Sequence, residues 1–155
     1  MKKVANMWLE FLTGLCLFVV VVTVFLQVFF RFVLKLPAPW TEELSRLAFV
    51  YMAFFGAVLG AKYNMHLSVD ILSKVPKKWR KHILSVSYIA CIAFMAVFTW
   101  YGWVHAKNSE VQLTPTLEIS YFYIYLIMPF SGILMIYYLL KSLIAIWQGK
   151  DVTDG

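Results

Sequence analysis

The chain has 155 residues, of which 62% are hydrophobic and 14% charged, and its formal net charge is +6. A soluble domain carries roughly 25% charged residues, and apolar runs of about 18 or more mark membrane spans, so a water-soluble globule is excluded. In such a chain the positive balance reports orientation rather than nucleic-acid binding.

The first apolar segment covers residues 8–34. Lys2 and Lys3 precede it, as they would a signal peptide. Its uninterrupted apolar stretch is longer than the ~7–15 residues of a signal core, however, and bulky residues follow where a cleavage site would be small. It reads as a retained span. Thr23 and Gln27 are its clearest polar residues, and an amide in hydrocarbon is expected to face protein.

This span closes in the stretch RFVLKLPAPWTEELSR, which sets five charges between two nearly uncharged segments. Pro37 and Pro39 disfavour helix at Leu36 and Ala38, so the span must end there. Thr41 is predicted to cap the next helix, with Glu42 and Glu43 in a first turn that favours anions. Glu42 and Arg46 stand four apart and are expected to pair. Glu43 points about 100° away around the axis, which leaves it to meet Arg31 across the hairpin. Arg31, Trp40, Glu42, Glu43 and Arg46 thus form either a capped interfacial anchor or a fixed point for a partner subunit.

The second span, 40–61, carries Gly56 and Gly60 in a GxxxG pattern flanked by Ala53, Ala57 and Ala61. Small residues let helix backbones approach closely in lipid, within one bundle or between proteins. Residues 66–75, HLSVDILSKV, gather Leu67, Ile71, Leu72 and Val75 near one helical face. That predicts a short amphipathic helix lying on the membrane surface. Lys74, Lys77, Lys78, Arg80 and Lys81 follow as a candidate lipid contact, each cation contributing ~1 kcal/mol near anionic lipid.

The third and fourth spans are expected at 79–105 and 119–147, with Pro129 kinking the latter. Trp8, Trp40, Trp79, Trp100, Trp103 and Trp147 all fall near span ends, the depth that amphipathic rings favour. Four crossings put both termini on one side with the 62–81 connection. That side holds ten of the fourteen Lys and Arg residues, so it is expected to be cytoplasmic.

Chemistry is sparse. No Asp, Glu, Lys or Arg lies near the middle of any span, whereas ion paths and proton relays need intramembrane ionisable groups. His66, His82 and His105 do not form a haem-ligand pair away from the charged surface. Cys16 and Cys91 sit alone in apolar runs without CxxC or metal-ligand spacing. No nucleophile stands beside a base. The residues therefore predict an all-α integral membrane protein, a single four-span domain over 1–155, with no enzyme activity and no cofactor. An autonomous four-helix exporter would want a titratable carboxylate within a span, and a redox anchor would want haem ligands or paired thiols.

The run QVFFRFVLKLPAPWTEELSR, followed by AFFGAVLGAKYNMHLSVDIL, a basic turn and two further spans, resembles the small membrane subunit of a TRAP transporter, the DctQ-like Q component. The resemblance covers nearly the whole chain. It implies an inner-membrane partnership with a larger multi-span subunit that holds the sodium and substrate sites. It also implies a periplasmic binding protein that delivers a carboxylate solute, with sialic acid favoured over a C4-dicarboxylate. On that basis Lys107, Glu110 and Glu118, in the connection before the fourth span, become a candidate docking surface for the binding protein.

Overall fold

The computed structural model describes residues 2–63 and 77–148. The amphipathic helix expected at 66–75, and Lys74 with it, lie outside the described residues. The chain forms α1 (Lys2–Phe29), α2 (Pro39–Lys62), α3 (Lys77–Asn108), α4 (Tyr121–Tyr125) and α5 (Ile127–Trp147). Four stretches are long and apolar enough to cross a membrane: Met7–Leu34, Pro39–Lys62, Lys81–Asn108 and Tyr121–Trp147.

α1 runs on through one wider turn of π-helix, Phe30–Leu34, and stops at Lys35, whose φ of 51° is left-handed. The Leu36 N–H bonds the Phe30 carbonyl at 3.1 Å and closes that end. The stop falls just ahead of Pro37, as the restriction on residues preceding proline requires. The start of α2 differs from expectation. Ala38, non-helical with φ −124° and ψ 69°, occupies the cap position and Pro39 opens the helix. Thr41 is already inside the first turn, fully buried, and its hydroxyl donates to the Ala38 carbonyl at 2.6 Å. Proline's fixed φ and absent N–H suit the first helical position, and here that preference prevails over the hydroxyl's capping preference.

Pro129 breaks the last span as expected. It lacks the N–H that would bond the Tyr125 carbonyl, and the helix divides at Leu126 into α4 and α5. Ser120 caps α4, its hydroxyl accepting the Phe122 N–H at 3.2 Å. From α2, the Tyr51 hydroxyl donates to the Tyr123 carbonyl at 2.8 Å, supplying a bond beside the break that the divided helix does not.

Neighbouring helices follow the order α1, α2, α5, α3. The main core joins Leu9, Phe55, Val58, Ala61, Ile127 and Met135; a smaller one holds Tyr88, Leu139 and Ile146. Many of the largest apolar side chains face outward instead, among them Phe11, Phe25, Val86 and Trp100. In water such a surface would be an aggregation liability; in hydrocarbon it is the solvated face.

Candidate functional site

Polar side chains gather at the two ends of the helical layer. At the end holding the α1–α2 turn and the 109–120 connection, the centre is Glu43. Its Oε2 accepts the backbone N–H groups of Thr116 at 3.0 Å and Leu117 at 3.2 Å, while its Oε1 is sealed from solvent. The expected pairing with Arg31 is therefore not the one formed. A carboxylate can reach two converging amides at once, and these stand more than seventy residues away in sequence. Arg31 is exposed, its guanidinium 5.9 Å from the centre of the Phe32 ring. Arg31 lies in the wider π turn, which re-aims side chains relative to a regular helix.

Glu42 and Arg46 do pair, Oε1 to guanidinium at 3.3 Å, both largely in solvent. An exposed pair of this kind contributes little to stability. Trp40 stands edge-on to Phe30 with ring centres 6.3 Å apart. It closes the hairpin at the level where such rings favour the interface.

The 109–120 connection is built by its own bonds. Leu113 and Ser120 form an antiparallel bridge. The Thr114 N–H donates to the Ile119 carbonyl at 2.9 Å, and the Thr114 hydroxyl accepts the Ile119 N–H at 3.1 Å. The Ser120 hydroxyl donates to the Glu110 carbonyl at 2.7 Å. Lys107, Glu110 and Glu118 are all exposed along this stretch. Glu118 takes a left-handed φ of 52° where the loop turns back.

At the opposite end, α1 and α2 meet through a cluster that sequence reading missed. The Lys62 ammonium, its side chain only 6% exposed, lies 2.9 Å from Glu10 Oε1. The Tyr63 hydroxyl donates to the same oxygen. The common depth of Glu10 and Lys62 at the ends of two successive spans was the available signal. Lys81 stands 5.1 Å from the centre of the Trp147 ring and links the same ends of α3 and α5. Lys77, Lys78 and Arg80 belong to the first turn of α3.

The packing residues divide. Gly56 would meet nothing within 4 Å if it carried a Cβ, and Gly60 is half-buried. The close approach occurs elsewhere. A Cβ on Gly132 would come 2.2 Å from Thr99 Oγ1, and one on Gly102 3.1 Å from Met128 Cβ. Gly56 thus does not mark a close crossing among the described residues. Gln27 is half-buried, and its amide finds no hydrogen-bond partner among the described residues.

Among the described residues no three His, Cys, Asp or Glu gather as a metal site, and both cysteines are free. Four spans whose polar groups join helix ends and secure one loop define a multi-pass helical membrane protein. Residues 20–149 match the family of tripartite ATP-independent periplasmic transporters, DctQ component, and the chain belongs to that family, a transporter component and not an enzyme. A Haemophilus influenzae protein named as a TRAP transporter small permease is 33% identical over 88% of this chain and 83% of its own length. The Vibrio cholerae sialic acid TRAP transporter small permease SiaQ is 26% identical over 92% of this chain and 83% of its own. The Haemophilus influenzae sialic acid TRAP transporter permease SiaT is 24% identical over 90% of this chain but only 23% of itself. In that relative the matching region is one part of a much longer permease.

Proposed function

We propose that this chain is the accessory scaffold subunit of a sodium-coupled importer that depends on a soluble binding protein. It sits in the bacterial inner membrane with both termini cytoplasmic and packs on the stationary part of a large membrane subunit. Its solute is a carboxylate, sialic acid being favoured over a C4-dicarboxylate by the likeness to SiaQ. The observation that carries this reading is the chain's polar inventory. Residues 11–30, 47–61, 83–104 and 119–140 contain no Asp, Glu, Lys or Arg. A path for an ion and a charged solute needs such groups or their equivalents, so the path belongs to a partner.

Two features support a membrane partner against this surface. Gln27 is half-buried within a span and has no hydrogen-bond partner among the described residues, and leaving such a group in hydrocarbon is costly. Gly56 offers room for a close helix crossing that the described residues do not fill. The partner would anchor its moving part against the fixed layer formed here. The surface with Lys107, Glu110 and Glu118 is assigned to the binding protein, and the cations of 74–81 to lipid headgroups.

Co-purification and reconstitution test the reading. The chain is expected to co-purify with a large multi-span subunit, and vesicles holding this chain alone should show no solute uptake along a sodium gradient. Sodium-driven accumulation by the chain alone would sink the accessory role.

A further inference from the structure

The 109–120 connection presents two apolar side chains that no fold requirement explains. Val111 is 91% exposed and Leu113 59% exposed, and exposed Glu110 and Gln112 alternate with them. We propose that Val111 and Leu113 are the apolar anchor points for the soluble substrate-binding protein, held ready by Glu43 as a positioning residue. This rests on the proposed function and on its orientation.

The position argues for a protein in water rather than for lipid. Trp100 and Trp103 mark the interfacial level of α3. The helix continues to Asn108, about 7 Å beyond Trp103 at 1.5 Å per residue. Val111 belongs to the turn that follows, whose Gln112 carbonyl accepts the Tyr121 N–H. A tip that entered lipid would not interleave its apolar side chains with a carboxylate and an amide, since burying either without a partner is costly.

The rigidity argues for recognition rather than for an idle loop. Beyond the bridge at Leu113 and Ser120, the Tyr121 N–H donates to the Gln112 carbonyl at 2.9 Å and the Glu118 N–H to the Thr114 carbonyl at 3.2 Å. Thr114 is 3% exposed. Glu43 adds the bonds that tie this turn to α2 through Thr116 and Leu117. A loop already ordered loses little conformational freedom on docking, which is how preorganisation raises affinity. An apolar centre with a polar rim of Lys107, Glu110 and Glu118 has the layout of a protein contact.

The test uses this chain assembled with its large membrane subunit in vesicles, with purified binding protein added outside. Val111→Ser and Leu113→Ser are each expected to raise the binding-protein concentration for half-maximal uptake about tenfold, the order for losing one desolvated apolar contact. Maximal uptake and co-purification should hold. Glu43→Gln should shift the same concentration in the same direction but less, and Glu43→Asp less still. A fluorophore on Val111→Cys should report water in vesicles alone and an apolar surrounding once binding protein is added. Unchanged half-saturation in both serine variants overturns the proposal. So does loss of co-purification in them, which would assign the tip to the membrane subunit, and so does blue-shifted emission before binding protein is added. Failure of the unsubstituted chains to co-purify would overturn the proposed function itself, and is seen before any variant is made.

Discussion

The α1–α2 pair and the α3–α5 pair are both antiparallel, yet different forces hold them. α3 and α5 approach until the backbone at Gly132 nearly touches the Thr99 side chain. Along the same seam the buried Tyr88 hydroxyl bonds Ser142. α1 and α2 instead are fastened at one end by Glu10, Lys62 and Tyr63, while much of α1 faces outward. In lipid, where apolar contact between helices gains little over contact with hydrocarbon, small residues and hydrogen bonds decide which faces meet. The α3–α5 seam draws close at Gly102 and Gly132 and also packs Tyr88, Leu139 and Ile146 together. The α1–α2 seam adds an electrostatic clasp at one end to an apolar cluster that includes Leu9, Phe55, Val58 and Ala61, while much of α1 stays outward.

The sharpest break in this contrast is Gly132→Ala. Alanine gains about 0.5–1 kcal/mol of helix preference, but its Cβ would sit 2.2 Å from Thr99 Oγ1. Overpacking of this kind costs about 1–3 kcal/mol, so a net loss is expected in reversible unfolding from detergent micelles. Adding Thr99→Ala, which removes the offending oxygen, should recover part of it. No recovery would mean that the seam is not set by this crossing.

Glu10→Gln should come next, because it takes one carboxylate away from a Lys62 ammonium whose side chain is only 6% exposed. Cross-linking between cysteines placed at the unclasped ends of α1 and α2 would show them parting. The double variant Glu10→Gln with Lys62→Met should restore the pair, since removing both charges also removes the cost of burying one. A double variant no better than the single would point to a role beyond mutual neutralisation.

Tyr51→Phe removes only the hydroxyl that serves the Tyr123 carbonyl. About 0.6 kcal/mol is expected, the average for such bonds in membrane proteins. The loss should appear as faster amide exchange near the α4–α5 break. Gly56→Ala should be the smallest effect on the isolated chain, within about 0.5 kcal/mol, because nothing lies within 4 Å. Its effect should appear in a lower yield of the complex with the large subunit. Full yield would show that the α2 face is bare in the assembly.

What could be read in advance was local. Span positions follow from apolar length, the stop at Lys35 and the break at Leu126 from proline chemistry, and the Glu42–Arg46 pair from helical spacing. The partners of Glu43, Tyr51 and Gly132 could not be read, because each depends on which face of one helix meets another far along the chain. Thr41 was misplaced for a different reason. Two local preferences competed within three residues, and proline's constraint on the backbone prevailed over a side-chain hydrogen bond.

The order α1, α2, α5, α3 carries a consequence for biogenesis. As the ribosome delivers the polypeptide, α2 emerges beside a neighbour already in place, whereas α3 must wait in the bilayer until its chief support is synthesised. A chain truncated after residue 113 should therefore hold a third span that lacks its chief packing neighbour in the bilayer.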